Sequence, residues 1–181
     1  MNEGVARLLR IIEDALLLTR IKVGTTDFSL EPRELAPLVD MAVERVARAA
    51  DARGIRIAPL VGTTGGVLCD EQLLFDALVA LLECAIKLGH PPGPIGLAGA
   101  WSGGQWELRV AVPCKPVPPE LAARFFDVLS LVEPLSPGGD LGLGPPVAAE
   151  ILRLLGGGVA LEATAEGSCF VVRLRAASPP G

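Results

Sequence analysis

Cysteine and histidine have the most distinctive chemistry among the residues of this sequence. Cys69, Cys84, Cys114 and Cys169 lie far apart without a Cys-x-x-Cys pair, and His90 is the only histidine. That set lacks the ligand spacing of a usual zinc site. A nucleophilic thiol is commonly activated by a histidine, and no histidine lies nearby in the sequence to activate Cys84 or Cys114, so both are expected to be buried and inert. His90 falls in the turn KLGHPPGP and is expected to be exposed.

Length and charge narrow the class of protein. The chain has 181 residues, 50% of them hydrophobic, which suits one domain with or without a short appendage. The formal charge of -5, from 21 acidic and 16 basic residues, argues against a nucleic-acid surface. Asp76 and Glu83 interrupt the most apolar segment, so we expect no membrane span, and the first residues do not resemble a signal peptide. Unpaired, widely spaced cysteines favour a reducing, cytoplasmic setting.

The first predicted element is an amphipathic helix from Val5 to near Gly24. Its apolar residues recur at the spacing of one helix face. Such a narrow stripe is typical of a helical bundle or coiled-coil seam, but its short length also fits a helix docked on its own domain. Both interpretations stay open at this point. The residues that would face a partner are Leu8, Leu9, Ile12 and Leu16.

Residues 28–60 predict a short strand, a helix and a second strand. Pro32 suits the first position of the helix, and Gly54 suits its end. The buried face of this helix is expected to contain Leu35, Leu38, Val39, Ala42, Val46 and Ala49.

The rest of the chain combines helices with paired strands. Asp70 is placed to cap a second helix, and IGLAGAW and QWELRVAV form a hairpin around Ser102, Gly103 and Gly104. Two more helices, PPELAARFFDVL and VAAEILRLLGG, flank a loop rich in glycine and proline, and VALEAT and SCFVVRLR supply the last strands. This order predicts an α+β fold, a two-layer sandwich with helices on one face of a mixed sheet.

Several segments follow one another in a specific order, although no single segment is diagnostic. An apolar helix leads into a linker, and a second helix carries an acid and a lysine near its end. Proline-rich, phenylalanine-containing and glycine-rich segments come next, and the chain closes with a glycine pair and two strands. These segments are residues 7–27, 70–88, 110–121, 124–129, 138–144, 156–157 and 166–175.

This order resembles the C-terminal part of a bacterial sensor histidine kinase. Residues 7–27 correspond to the second half of its dimerisation hairpin, and residues 70–88 to its N-box helix. Residues 110–121 match the first glycine box, 124–129 the F-box and 138–144 the second glycine box. The resemblance implies the Bergerat, or GHKL, ATP-binding sandwich. It divides the chain into a dimerisation-type helix and linker (1–24), a kinase ATP-binding-like domain (25–176) and a disordered tail (177–181).

The N-box of that family supplies two asparagines one turn apart, the second of which helps to hold magnesium. Ala80 and Cys84 occupy those positions here. A magnesium ion needs hard oxygen ligands, which neither side chain offers. Glu83 and Lys87 remain and could polarise a nucleophile and meet a phosphate, but both types are also ordinary on a solvated helix face.

The first glycine box of the family supplies an aspartate that accepts a hydrogen bond from the adenine amino group, followed by glycines. Aligned without gaps, this sequence has Val112 at the aspartate position and Cys114 and Pro116 at the glycine positions. Valine cannot accept that bond, and proline lacks an N–H and restricts the loop.

The second glycine box should cradle phosphates on backbone donors at a helix start. The sequence GGDLGLG retains Leu141, Gly142 and Leu143 and ends with Gly144, but Asp140 replaces a glycine at the point of closest approach. A carboxylate repels a triphosphate unless a metal bridges them. Pro145 and Pro146 further alter the entry of the helix.

These departures predict a degenerate, non-catalytic module that acts by protein–protein interaction. We expect neither a metal nor a bound cofactor, with ATP and magnesium only if the domain is instead an active, divergent kinase. The expected partners are a response regulator, a histidine kinase or a second copy. A phosphotransferase-like scaffold is a further alternative, although the acceptor histidine of the family has no counterpart in this sequence except His90.

Overall fold

The computed structural model describes residues 3–62, 65–127 and 142–177 of the chain. The helices are α1 (Glu3–Lys22), α2 (Leu35–Ala52), α3 (Glu71–Leu88), α4 (Pro119–Ala122) and α5 (Gly144–Leu154). The strands are β1 (Glu31–Glu34), β2 (Ile57–Gly62), β3 (Gly66–Cys69), β4 (Ile95–Ser102), β5 (Gln105–Pro113), β6 (Gly158–Thr164) and β7 (Gly167–Leu174).

A five-stranded mixed sheet forms one layer of the domain. Its strands lie in the order β2-β4-β5-β7-β6, with β2 parallel to β4 and all other neighbours antiparallel. Alternation along β5 directs Trp106, Leu108, Val110 and Val112 into the core, where each is at most 3% exposed. One face of the sheet is therefore built to be covered by helices.

Helices α2, α3 and α5 form the second layer. Helix α3 contacts both α2 and α5, and ten of its 18 residues are buried. The strongly apolar sequence of α3 is explained by this central place, since a helix with neighbours on several sides exposes little surface. The predicted α+β two-layer sandwich, with helices on one face of a mixed sheet, is confirmed.

A separate two-stranded sheet joins β1 to β3 ahead of α2. Pro32 pairs with Leu68 in its antiparallel ladder, and α2 begins only at Leu35. The prediction that Pro32 opens the helix is therefore wrong. A proline is tolerated in β1 because an edge strand does not need every N–H for pairing. Strand β3 has no counterpart among the predicted strands.

Helix α2 buries the face that its apolar spacing predicts, except at one position. Ala49 is exposed, and Ala50 completes the buried stripe instead. Ala50 lies four residues after Val46 and therefore returns to the same face of the helix. Gly54, with a φ of +63°, follows the end of the helix as predicted.

The two hairpin glycines have the backbone that their sequence predicts. Gly103 and Gly104 have φ values of +57° and +84°, which glycine adopts without steric cost. Trp101 and Trp106 pair across the start of this hairpin with their ring centroids 5.1 Å apart, edge to face. The turn and the aromatic pair together fix the register of β4 and β5.

Helix α1 combines a docked end with an exposed stripe. Near its C-terminus Leu18 and Ile21 are only 6% and 5% exposed, and the helix contacts α5. Each buried side chain of this size contributes roughly 1.5–3 kcal/mol of hydrophobic stabilisation. Earlier in the helix, the apolar residues predicted to face a partner are exposed, namely Leu8, Leu9, Ile12 and Leu16.

Both interpretations of the first helix therefore have support within one chain. The end of α1 docks on the domain, whereas its earlier part presents an uncovered apolar face. No helix among the described residues is long and apolar enough to cross a membrane.

Candidate functional site

Three elements converge at the positions that the sequence predicts for a nucleotide pocket. They are the second half of α3, the loop that follows β5, and the first turn of α5. Gly144 lies against Ala80, since a Cβ built on Gly144 would stand 3.9 Å from the Ala80 Cβ. Cys114 of the loop is near enough to Cys84 of α3 to contribute to the raised pKa of the Cys84 thiol. The predicted positions therefore belong to one region of the molecule.

Cys84 is the most deeply buried of these residues. Its side chain is 2% exposed, and burial raises the pKa of its thiol well above the usual range, with Lys87 acting weakly in the opposite direction. Cys84 therefore stays a neutral thiol, in keeping with an inert, buried cysteine. Glu83 and Lys87, on the same helix, are half-buried, and both interact with other groups of the protein.

The end of β5 is clamped from the neighbouring strand β7. Gly167 lies so close to β5 that a Cβ there would overlap the Val112 carbonyl oxygen and the Cys114 nitrogen. Val112 itself is 2% exposed. Only glycine fits this approach, so Gly167 fixes the backbone of Val112 and Cys114 through close packing.

Ser168 holds the following part of the loop. Its hydroxyl oxygen accepts a hydrogen bond of 3.1 Å from the Val117 N–H, and both residues are buried. Ser168 is the buried polar residue of the described core, so its single bond to the loop is a strong constraint. Pro116, directly before Val117, is exposed. Sequence reasoning missed this contact because 51 residues separate its two members.

His90 approaches the same loop through its backbone. The His90 N–H donates a 2.9 Å hydrogen bond to the Pro113 carbonyl oxygen, and Gly93 packs against the Pro113 ring. The side chain of His90 is exposed, as expected for a turn residue. The turn thus supports the loop after β5 without placing the imidazole inside the domain.

The start of α5 is the third element of the region. Gly142 has a φ of +64°, Leu143 is the N-cap residue without a capping side chain, and Gly144 begins the helix. Pro145 and Pro146, predicted to lie before the helix, occupy its first turn and are buried. That prediction is wrong because proline, with its fixed φ, suits the first turn of a helix. Asp140, the remaining predicted residue, lies outside the described residues.

The prolines change the chemistry of this helix start. The N–H groups of the N-cap and the first three residues of a helix have no intrahelical acceptor and can bind an anion. In α5 these would be the groups of 143–146, and two of the four residues are prolines without an N–H. The next donor, Val147, is already bonded to the Leu143 carbonyl at 3.0 Å.

The phenylalanines of the predicted F-box serve as core residues. Phe125 is 1% exposed and lies 5.3 Å from Phe126 and 5.7 Å from Phe170, measured between ring centroids. This aromatic cluster fastens the short helix α4 and the turn after it to β7. The described part of the predicted F-box ends at Asp127.

Solved structures with this fold include histidine kinases and the catalytic domain of the histidine kinase ThkA. The histidine kinase AdeS of Acinetobacter baumannii matches with a TM-score of 0.79 and 19% identity over 96% of this chain and 81% of that one. ShkA, solved with AMPPNP, matches with a TM-score of 0.77 and 24% identity over 99% of this chain and 38% of its own. The domain therefore has the fold of a histidine kinase catalytic domain, of the GHKL class.

Curated sensor proteins are similar to the chain over nearly its whole length. The sensor protein DivL of Caulobacter vibrioides is 28% identical over 183 residues, covering 100% of this chain and 23% of DivL. The alginate biosynthesis sensor protein KinB of Pseudomonas aeruginosa is 25% identical over 176 residues, 96% of this chain and 29% of KinB. No family model matches the chain. The resemblance to sensor histidine kinases is confirmed, and the chain spans about a quarter of these relatives.

The residues of the candidate site fit ATP and magnesium poorly. Val112 offers no acceptor for an adenine amine, and the buried thiol of Cys84 is not a hard oxygen ligand. Pro145 and Pro146 remove donors that a phosphate would use. Within residues 3–62, 65–127 and 142–177, no three His, Cys, Asp or Glu residues form a group that could hold a metal ion.

Proposed function

We propose that this domain is a pseudo-histidine-kinase regulatory module of two-component signalling. It acts through contacts with a histidine kinase or a response regulator, and its nucleotide binding is weak or lost. The relatives DivL and KinB are sensor proteins, which supports a place in signalling. The retained fold supports a role that uses the domain surface rather than its former pocket.

One observation carries this proposal, namely the first turn of α5. An anion at a helix start is stabilised by unpaired N–H groups and by the positive end of the helix dipole. Here Pro145 and Pro146 replace two of those groups by a ring carbon, and both rings are buried. A triphosphate at this end would lose two of the backbone donors that a helix start offers.

The other two elements add independent losses. An adenine amine facing Val112 would be left unpaired at a cost of about 1–3 kcal/mol. A metal facing Cys84 would meet a neutral, buried thiol. Each 1.4 kcal/mol is about a tenfold change in affinity, so losses of about 1–3 kcal/mol at each of three parts of one ligand would weaken a micromolar site by at least about a hundredfold.

Signalling without phosphoryl transfer requires a surface for a partner. The exposed stripe of α1, with Leu8 and Leu16 each 58% exposed, provides an apolar face of the kind that pairs in helical bundles. The docked end of the same helix, at Leu18 and Ile21, joins that face to α5. Occupancy of the stripe by a kinase helix or by a second copy would be relayed to the domain through this contact.

Thermal melting with and without millimolar ATP and magnesium tests the proposal. A micromolar site at about a thousandfold excess of ligand would add about 4 kcal/mol of stability. For a chain of this size, that corresponds to a rise in Tm of roughly 8–16 °C. We expect no measurable rise.

Two matched variants make the melting result decisive. The proposal would be overturned if ATP and magnesium raise the Tm of the natural chain and of Arg48→Ala, on the exposed face of α2, but not that of Lys87→Ala. That result would indicate an active, divergent kinase domain.

A phosphoryl-transfer assay with His90→Ala tests the phosphotransferase alternative. Transfer that depends on His90 would identify this residue as an acceptor.

A further inference from the structure

Strand β6 forms one edge of the five-stranded sheet. It pairs antiparallel with β7 along its whole length, from Gly158 opposite Arg173 to Thr164 opposite Gly167. Within the described part of the chain, no strand pairs with its second edge. Such an edge presents a row of backbone N–H and C=O groups, so it can bond a further strand.

Strand β2 forms the other edge of the sheet and is poorly suited to such pairing. Pro59 lies within β2, and the register of this strand shifts between Ile57 and Leu60. Prolines and irregularities of this kind keep edge strands from pairing. Strand β6 contains no proline and keeps one register over its whole length. Of the two edges, β6 is therefore the one suited to a partner strand.

The hairpin turns show which residues of β6 direct their backbone groups outward. A two-residue turn follows Thr164, so Thr164 and Gly167 are the bonded pair that closes this hairpin. The hairpin closed by Ser102 and Gln105 gives the same alternation when it is followed through β5 and β7. The outward groups of β6 consequently belong to Val159, Leu161 and Ala163.

The end of β6 that leads into β7 is acidic. Glu166 is exposed in the turn that follows the strand. Ser168, which pairs with Ala163, accepts a hydrogen bond from the Val117 N–H and so brings the start of α4 to this end. Glu120, in the first turn of α4, is exposed there as well. Two carboxylates therefore share this end of the edge.

The other end of β6 is basic. Arg173 pairs with the first residue of the strand and lies 3.9 Å from Glu107, which offsets part of its charge. Arg175 is exposed and lies beside Gly156, where a built Cβ would stand 3.8 Å from the Arg175 Cδ. Residues 156–158 are all glycine, so no side chain of this segment screens the arginines. The edge therefore has opposite charges at its two ends.

We propose that the β6 edge pairs antiparallel with the β6 edge of a second copy of this chain, about a two-fold axis at Leu161. In this register Gly156 lies opposite Glu166 of the second copy, and the Arg175 beside it meets that carboxylate. Antiparallel pairing of two copies joins unlike charges at both ends, whereas parallel pairing would join like charges. The inference is independent of the proposed function, because neither the former nucleotide pocket nor the exposed stripe of α1 takes part.

The proposed pairing satisfies the outward groups of β6. Val159 would bond Ala163 of the second copy and Leu161 would bond its own counterpart, giving about six hydrogen bonds in total. The same three residues line a cleft of about 450 Å³ between β6 and α4. The strand of the second copy would close the open side of this cleft and cover its apolar walls.

The acid within β6 does not oppose this pairing. Glu162 forms a 2.9 Å ion pair with Arg109 of β5, which offsets its charge. In the proposed register Glu162 lies opposite Ala160 of the second copy, so the two carboxylates do not face each other directly.

Sedimentation equilibrium of the full chain tests the inference. Leu8→Glu and Leu16→Glu are introduced throughout, because they prevent association through the exposed stripe of α1 and leave its docked end unchanged. Since one strand pair is a small interface, we expect a dimer with a Kd of about 100 μM or tighter. A chain that stays monomeric at about 1 mM would overturn the inference.

Charge reversals at the two ends identify the contact. Glu166→Lys and Arg175→Glu each bring like charges together, so each variant should form its own dimer about tenfold more weakly at low salt, and with a smaller loss at about 0.5 M salt. A mixture of the two variants joins lysine to glutamate at one end and keeps the natural pair at the other. The mixed dimer should therefore be about as tight as the natural one, as measured by fluorescence anisotropy with one variant labelled.

Matched reversals elsewhere on the surface control for net charge. Glu44→Lys and Arg48→Glu lie on the exposed face of α2 and change the charge by the same amounts. Neither should alter the Kd, separately or mixed. A mixture of the two edge variants that associates no more tightly than either alone would overturn the proposed register.

A proline in β6 tests whether the backbone takes part. Ala163→Pro removes an outward N–H that bonds nothing within the sheet of the single chain, and it should weaken the dimer at least about tenfold. Melting curves establish that the variant is folded. Equally tight dimers of Ala163→Pro and the natural chain would show that the copies do not pair through this strand.

Discussion

Helices α3 and α5 pack against each other but begin in opposite ways. The start of α3 is capped by Asp70, whose two carboxylate oxygens accept from the Leu73 N–H at 3.1 Å and the Ser29 N–H at 3.2 Å. The start of α5 has no capping side chain and instead contains Pro145 and Pro146. A side chain bonds one free donor at the start of α3, whereas the start of α5 lacks two donors.

The difference shows two ways in which the start of a helix is accommodated in this fold. Free N–H groups at a helix start need an acceptor, whether a side chain, water or a bound anion. In α5 the prolines remove that need, and their burial adds apolar contacts to the core. The fold therefore does not depend on a phosphate at this position.

Removal of the α3 cap should have the largest effect. Asp70→Ala leaves the Leu73 and Ser29 N–H groups without their acceptors, and we expect a loss of about 2 kcal/mol in the free energy of unfolding. Urea unfolding measures this loss. Asp70→Asn keeps one carbonyl oxygen and should lose about half as much. Equal stability of Asp70→Ala and wild type would show that α3 does not depend on its cap.

Ser168 bonds a backbone N–H in the loop before α4, as Asp70 does at the start of α3. Helix α4, like α5, has a proline in its first turn, but the preceding Val117 N–H is bonded by Ser168. Ser168→Ala leaves that buried N–H unpaired and should cost about 1–2 kcal/mol by urea unfolding. Ser102→Ala, exposed in the hairpin, should change stability by less than about 0.5 kcal/mol. A similar small change at Ser168 would contradict the assigned clamp.

A capping side chain introduced at Leu143 tests whether the two prolines leave any donor for a cap at the start of α5. Such a side chain bonds the N–H of the second or third helical residue, and in α5 both residues are prolines. Leu143→Ser should therefore be no more stable than Leu143→Ala in the natural background. Both variants lose the packing of the Leu143 side chain and differ from each other by one hydroxyl. The difference between their stabilities therefore measures the cap alone.

The same pair should behave differently after Pro145→Ala and Pro146→Ala. With both donors restored, the serine variant should exceed the alanine variant by about 1 kcal/mol in unfolding free energy. Pro145→Ala with Pro146→Ala and the natural Leu143 also tests the proposed function, since this variant should bind inorganic phosphate or ATP more tightly than the natural chain. An equal serine–alanine difference in both backgrounds would show that the prolines do not close this helix start.

Local signals in the sequence explain the parts of the fold that were predictable. The cap at Asp70, the hairpin glycines and the apolar spacing of α2 each act within a few residues, so their pattern can be read directly. The position of Pro32 could not be predicted locally, because proline is compatible with both a helix start and an edge strand. Only its pairing with Leu68 shows that it belongs to strand β1.

The candidate site was predictable in its position but not in its internal contacts. Its residue types follow from the order of the motifs, and the structure brings α3, the β5 loop and α5 together. The Ser168–Val117 hydrogen bond and the close approach of Gly167 to β5 depend on strand register. Register between distant strands is set by the packed core, which no short sequence window contains.

Asp76, six residues after Asp70, gives the smallest predicted effect. Asp70 caps α3, whereas Asp76 lies within it, half-buried, and burial raises the pKa of its carboxyl above the usual 3.8. The Gln72 amide, which donates a 2.9 Å hydrogen bond to Asp76, acts in the opposite direction. The folded state therefore holds the Asp76 proton to higher pH than the unfolded state does.

The sign of the pH dependence follows from that difference. The contribution of Asp76 to stability is complete below pH 3.8 and is lost as pH rises through its raised, folded-state pKa. Asp76→Asn should remove this fall, and Gln72→Ala should deepen it because the bond that favours the charged form is gone. Urea unfolding as a function of pH measures both slopes. The same dependence of unfolding free energy on pH in wild type and Asp76→Asn would contradict this, because it would mean that burial does not disfavour the charged Asp76 carboxylate.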